Sequence, residues 1–276
     1  MGGGNTHLVI MNRPLIRAFR ATLAYDGGGY RGSQLQRSGR TVLSEVNRAL
    51  VKVLAHPVRA RAASRTDAGV HAIGQVIAFR TSAPRTADEI QKGVNSLLPG
   101  DIRITECREI DFEFHPRHSA VGKVYLYRLL RAEALPPMSR KYVLFLPDEK
   151  PFDLEALEAA ATDFEGEHDF RSFSPRLLSG ENPEKTMWRV SVVRADPLVE
   201  LRFLGSGFLY QMARRMTGLL VAIAQGRERV HAVQKALEEP LVGSVPYTAP
   251  PRGLFLESVL YSDEEVRATI ADLVGS

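Results

Sequence analysis

Apolar and polar residues alternate with period two in "AFRATLAYDG", where Phe19, Ala21, Leu23 and Tyr25 share one face and Arg20, Thr22 and Ala24 the other. This predicts a half-buried strand that ends in the turn-forming "DGGG". The period then lengthens. In "TVLSEVNRALVKVLA" the residues Val42, Val46, Leu50 and Val53 recur on one helical face, with Thr41 as N-cap. "PVRARAAS" and "GQVIAFRT" predict two further strands. Thr86 and Glu89 have capping-box spacing ahead of Ile90, Val94 and Leu97, and "DIRITE" alternates again. The predicted order is strand, helix, strand, strand, helix, strand.

The remainder repeats this order with insertions. "KVYLYRLLR" predicts a strand with Tyr125 and Tyr127 on one face, "DLEALEAAATDFEG" a helix, and "WRVSVVRA" and "VELRFLG" two strands. "FLYQMARRMTGLLVAIAQ" predicts a long helix with Met212, Met216, Leu219 and Ile223 aligned, and "GLFLESVLY" a closing strand. That is the order of a ferredoxin-like unit, used twice. The expected class is α+β: two ferredoxin-like (RRM-like) halves joined into one mostly antiparallel sheet, with a central cleft where they meet. Residues 1–15 are expected to form a disordered N-terminal extension, with Met11 as an alternative start. Residues 16–117 are expected to form one lobe and residues 118–276 a second.

Composition narrows the chemistry. The 276 residues can bury a large core, and 44% hydrophobic with 25% charged residues is ordinary for a soluble globular protein. Cys107 is the only cysteine, which excludes a disulfide framework and a thiolate metal cluster; a buried thiol is expected. No run of eighteen apolar residues occurs, and "THLVIM" is too short for a signal peptide, so a cytoplasmic location is expected.

Charge is unevenly spread. Residues 1 to 80 hold twelve Lys and Arg against Asp26, Glu45 and Asp67, a balance of +9, whereas the remainder holds 24 basic against 29 acidic residues. Arg31, Arg37, Arg40, Arg59, Arg61 and Arg65 fall in or beside predicted loops. Such a surface suits a phosphate backbone, although a solvated arginine-rich face would give the same tally.

One acid in this basic third stands out. In "RAASRTDAGVHAIGQVIAF" Asp67 lies in a loop between two apolar runs, two residues after Arg65 and four before His71. Gly69 supplies the backbone freedom that such a loop needs, and His71 and Gln75 are expected to order it. Ser64, Asp67 and His71 are triad residue types, but no GxSxG motif is present and three residues so close in one loop do not take up triad geometry. His115 and His118 have HxxH spacing with no cysteine to complete a site, and no metal is expected.

"SRTDAGVHAIGQV" resembles the signature loop of the TruA family of tRNA pseudouridine synthases. "LAYDGGGYRGSQLQ", "VNSLLPGDIRI", "FHPRHSAVGKVYLYRL", "GEHDFRSF", "TMWRVSVV", "FLYQMARRMTG" and "TAPPRGLFLESVLY" resemble family motifs in the same order, from Phe19 to Tyr261. Ser33 stands where the family commonly has an aromatic residue, and Ser64 where many members have glycine.

The resemblance implies a pseudouridine synthase fold and isomerisation of uridine in tRNA, at positions 38 to 40 of the anticodon stem-loop. It implies a homodimer in which one tRNA spans both subunits. No cofactor is implied, because the reaction breaks N1–C1′ and joins C5 to C1′ without net gain or loss of electrons or phosphate. Asp67 would be the essential acid, a nucleophile or a base toward the nucleotide. Arg214 would pair with it and keep it ionised, Tyr125 would stack on the uracil and take the C5 proton, and Leu254 would wall the pocket. Arg65 would occupy the space of the flipped uridine and bind phosphate. The rival reading is a non-catalytic RNA-binding protein of the same fold, against which stands the absence of an RNP1-like "GFGFV" sequence.

Overall fold

The computed structural model describes residues 15–275, so the expected extension at residues 1–15 lies outside them except for Leu15. The chain runs β1 (Arg17–Tyr25), α1 (Val42–Leu54), β2 (Arg61–Ala62), β3 (His71–Thr81), α2 (Ala87–Leu97) and β4 (Ile102–Ile110). It continues with β5 (Gly122–Ala132), β6 (Leu144–Pro147), α3 (Leu154–Thr162), β7 (Gly166–Asp169), β8 (Glu184–Ala195) and β9 (Leu198–Gly205). Then come α4 (Met212–Ala224), α5 (Ala232–Glu238), β10 (Leu254–Leu260) and α6 (Asp263–Gly275).

The ten strands of the described residues join one sheet, in the order β4-β1-β3-β10-β5-β9-β8-β7, with β2 beside β3 and β6 beside β5. Pairing is antiparallel except for β3 with β10 and β5 with β6. The repeated ferredoxin-like order is present: β4-β1-β3-β2 in the first part and β10-β5-β9-β8 in the second. The two meet at a short parallel seam, where Phe255 and Leu256 pair with His71 and Ala72.

That seam makes one edge of β3 a shared edge. Its first residues pair with β10, while Ile77 and Ala78 pair with Ala62 and Arg61 of β2. The chain between β2 and β3 is squeezed out of the sheet at this junction. Asp67 is carried there.

Side-chain alternation decides which face does what. Tyr125, Tyr127 and Leu129 of β5 belong to the main core with buried residues of α1, α3 and α4, whereas Val124 packs with Leu204, Leu260, Val266 and Leu273 beneath α6 on the opposite face. Helices α1 and α2 begin as the sequence predicts. Thr41 and Ser44 form a capping box, as do Thr86 and Glu89.

Several boundaries differ from the sequence reading, each for a local reason. The strand predicted over "PVRARAAS" shrinks to two residues because Ala60 N–H donates to Asn47 Oδ1 at 2.8 Å and the start of β3 is already paired with β10. The helix predicted from Phe208 starts at Met212, because Gln211 has a left-handed φ of 61° and turns the chain just before it. Leu97 is exposed and Leu98 is buried in its stead, since the helix ends at Leu97 and the backbone becomes extended. Cys107 is half-buried, and burial with Glu106 alongside pushes its thiol up to about 12. Strands β6 and β7 and helices α5 and α6 had no periodic signal strong enough to be predicted.

Candidate active site

The junction between β2 and β3 opens into a cleft of about 1100 Å³ that is lined by both halves of the sheet. The loop from Ser64 to Val70 forms one wall, Tyr125 of β5 and Leu254 of β10 the floor, and the start of α4 the opposite wall. Asp67, Arg65, Tyr125, Arg214 and Leu254, scattered along the sequence, all line it.

The loop is shaped by hydrogen bonds, with Val70 at its end packed into the main core. Gln75, fully buried on β3, treats Ser64 as a strand partner: its Oε1 accepts from Ser64 N at 3.1 Å and its Nε2 donates to Ser64 O at 2.8 Å. Asp67 O accepts from Val70 N at 3.1 Å, closing a tight turn. Gly69 in that turn has a φ of +80° that a side chain would strain. His71 anchors the exit. Its Nδ1 accepts from Gly27 N at 3.1 Å and its Nε2 faces Lys141 O at 3.0 Å, and burial holds the imidazole below its ordinary value. Both residues order the loop, as the sequence suggested.

Arg214 reaches Asp67 from the first turn of α4. Its NH1 donates to Asp67 Oδ2 at 3.1 Å, and its Nε donates to Ala249 O at 2.8 Å. Ala249 N returns a bond to Arg214 O at 3.0 Å, so the guanidinium is held by a backbone that it also holds. The pair is mostly shielded from water. Arg215 turns the other way and donates to the carbonyls of Gly243 and Val245. Neither arginine is a free surface charge.

Tyr125 and Tyr127 occupy the same face with different surroundings. Tyr127 is fully buried and donates to Pro250 O at 2.8 Å, which fixes the segment leading to Leu254. Tyr125 shares a hydrogen bond with Ser64 Oγ at 3.0 Å and meets the edge of Phe208 at 4.7 Å between ring centres. Burial pushes the Tyr125 phenol well above its ordinary range, with the Ser64 bond pulling the other way. The phenol therefore keeps its proton at neutral pH.

The rim is cationic. Arg31, Arg59, Arg61, Arg65 and Arg117 are exposed and line the cleft, and none of their guanidinium groups has an ion pair or hydrogen bond among the described residues. Arginines elsewhere, such as Arg17, Arg48, Arg128, Arg194 and Arg202, pair with carboxylates. Lys123, one step along the face from Tyr125, also lines the cleft and has no carboxylate partner among the described residues. Burial, with Arg117 and Lys185 nearby, lowers its ammonium to about 8. His115 serves a turn: its Nδ1 accepts from the backbone of Arg117 and His118, each at 3.2 Å.

Sequence reasoning missed Phe208, Lys123 and the carbonyl of Ala249. Phe208 was absorbed into the predicted helix, and a backbone carbonyl has no sequence signature. Lys123 had one available signal, its two-residue spacing from Tyr125 on a strand.

Comparison with known proteins agrees with the motifs. The family model described as tRNA pseudouridine synthase matches residues 21–119 and 160–262. A tRNA pseudouridine synthase A from Staphylococcus aureus (strain bovine RF122 / ET3-1) is 35% identical over 244 residues, covering 88% of this chain and 91% of the relative. The protein of the same name from Geobacillus sp. (strain WCH70) is 36% identical over 250 residues, covering 90% of this chain and 100% of the relative. Among solved structures, a Cbf5-Nop10-Gar1 complex aligns over 74% of this chain and 45% of that one, with 12% identity and a TM-score of 0.33. The extent of the family match and the full-length relatives together make this chain a member of the tRNA pseudouridine synthase A family.

Proposed function

We propose that this chain isomerises uridines at positions 38 to 40 of the anticodon stem-loop of tRNA, with Asp67 as the reacting acid. Pseudouridine synthase activity on tRNA comes with membership of the family. The finer reading rests on one observation: a carboxylate held by Arg214 at 3.1 Å, beside a buried aromatic ring and beneath a rim of unpaired arginines.

Each group then has a task. The unpaired arginines bind phosphates and draw the anticodon arm onto the cleft. The target base must leave the stem, and the exposed guanidinium of Arg65 is close enough in sequence to Asp67 to fill the gap left behind. Uracil enters between Tyr125 and Leu254. Asp67 either adds covalently to the nucleotide or takes a proton from the ribose and later returns it; both routes end with Asp67 free, N1–C1′ broken, C5 joined to C1′, the C5 proton removed and a proton gained at N1. Tyr125, protonated at rest, takes the C5 proton on its phenol oxygen while its own proton passes along the hydrogen bond to Ser64 Oγ, which releases one in turn, and the apolar floor excludes water while the base turns over. Residues 16–117 and 118–276 act as the two lobes flanking the cleft, and the protein works as a homodimer with one tRNA spanning both subunits, as the resemblance implies.

The deciding experiment is incubation of unmodified tRNA with the protein alone, followed by mapping of pseudouridine along the anticodon arm. Product at positions 38 to 40 is expected. Tight binding of tRNA with no product would favour the non-catalytic RNA-binding reading.

A further inference from the structure

Thr66, the residue ahead of Asp67, is fixed from two sides, and Ser33 forms one of them. Thr66 N donates to Ser33 Oγ at 2.9 Å, and Thr66 O accepts from Ser33 N at 3.1 Å. The Thr66 hydroxyl shares a hydrogen bond of 2.8 Å with Tyr25 OH, which Gln75 Nε2 reaches in turn at 3.4 Å. Ser33 is 2% and Thr66 6% exposed, so water does not readily substitute for these partners.

Ser33 is itself held in place. Its carbonyl accepts from Leu43 N at 3.1 Å, at the start of α1. Gly32, with φ of +90°, lets the two loops approach so closely that a Cβ there would lie 2.7 Å from Thr66 O. The peptide joining Thr66 to Asp67 is therefore tied to the first helix of the fold. The Asp67 side chain starts from that peptide and ends 3.1 Å from Arg214.

We propose that Ser33 is a positioning residue for Asp67: its hydroxyl locks the Arg65–Thr66 peptide, beside the backbone bond that holds the Thr66–Asp67 peptide, and thereby sets where the carboxylate stands against Arg214. The proposal rests on the reading of Asp67 as the reacting acid. Loss of Oγ leaves the Thr66 N–H buried without an acceptor and lets the preceding peptide rotate. A displacement of about 1 Å in a reacting group costs on the order of a hundredfold in rate. Ser33 does not line the cleft, although Gly32 and Gln34 do, so the effect falls on chemistry and not on RNA contact.

The test compares wild type, Ser33→Ala, Ser33→Thr and Asp67→Asn. It measures single-turnover pseudouridine formation on unmodified tRNA, tRNA affinity and thermal unfolding. Ser33→Ala should slow the rate at least about tenfold with affinity within about threefold and the protein folded at the assay temperature. Ser33→Thr retains the oxygen and should recover most of the rate. The proposal is overturned by Ser33→Ala within about twofold of wild type, by a rate loss matched by lost affinity or unfolding, or by a folded Ser33→Thr as slow as Ser33→Ala. If Ser33→Thr does not fold, the alanine result stands alone. Full activity of Asp67→Asn would defeat the underlying reading of the site and leave the Ser33 brace without its catalytic purpose. An inactive Asp67→Asn beside a fully active Ser33→Ala defeats the brace alone.

Discussion

Arg214 divides its guanidinium between two partners, giving NH1 to the carboxylate of Asp67 and Nε to the carbonyl of Ala249. The planar fork serves the two from separate nitrogens in fixed geometry. Arg214→Lys keeps the charge but gathers its donors on one nitrogen, which does not reproduce the spacing and direction of the two bonds. The expected outcome is a rate reduced on the order of a hundredfold with tRNA affinity little changed, read in single-turnover assays. A lysine variant near wild-type rate would mean that charge alone suffices.

Asp67→Asn removes the charge and keeps the shape. It should abolish product while leaving tRNA affinity within about tenfold, because the phosphate contacts come from other residues. Quantitative pseudouridine mapping beside a binding isotherm checks both halves. Measurable turnover would defeat the proposed role.

Tyr125→Phe keeps the ring that stacks and deletes the hydroxyl that Ser64 touches. If the phenol takes the C5 proton, the rate should fall by about a hundredfold or more with binding preserved. Because burial raises the phenol, its ionisation should leave no break in the pH–rate profile between about pH 7 and 9. Retained activity in the phenylalanine variant would reduce Tyr125 to a stacking wall.

Much of this architecture is legible in the sequence because its signals are local. The alternation around Phe19 to Tyr25, the capping box at Thr86 and the aligned methionines of α4 each depend on neighbours within a few residues. The expected site residues line one cleft for a different reason: their motifs were recognisable one by one. What stayed hidden depends on distant partners. Nothing near Ser33 announces that its hydroxyl faces Thr66, and nothing near Arg214 announces the carbonyl of Ala249. The charge count likewise located the basic third but missed Arg117 and Lys123, which only the fold brings to the same rim.

Lys123 has no carboxylate partner among the described residues and lies beside two other cations, Arg117 and Lys185, and its folded value of about 8 lies below the unfolded lysine value of about 10.4. The unfolded chain therefore binds the extra proton between these values, and stability rises with pH across that window. Below about pH 8 the charged lysine destabilises the fold. Lys123→Met should thus raise stability at pH 7, on the order of 1–2 kcal/mol, and flatten the pH dependence of unfolding between pH 8 and 10. The same variant should bind tRNA more weakly, with a salt slope about one unit smaller, if a phosphate normally supplies the missing anion. Thermal unfolding across pH, with binding at several salt concentrations, separates the two effects. Unchanged binding would make the lysine purely structural.

Arg65 is exposed and unpaired among the described residues like the other rim arginines, and differs from them in standing two residues from Asp67. Two roles are open to such a side chain. As a phosphate contact it would tolerate lysine well, and Arg65→Ala would weaken binding and reduce the salt slope by about one unit. As a filler of the space left by the flipped uridine, its flat guanidinium matters and lysine is a poor substitute. The loss should then appear in turnover more than in affinity. It should also shrink on a substrate whose target uridine is mismatched, because less unstacking energy has to be met. The measurement is the single-turnover rate of wild type, Arg65→Lys and Arg65→Ala on a paired and a mismatched anticodon stem. The proposed role in base flipping predicts a larger penalty on the paired stem for both variants. Equal losses on the two stems would leave Arg65 as one more phosphate contact on the rim.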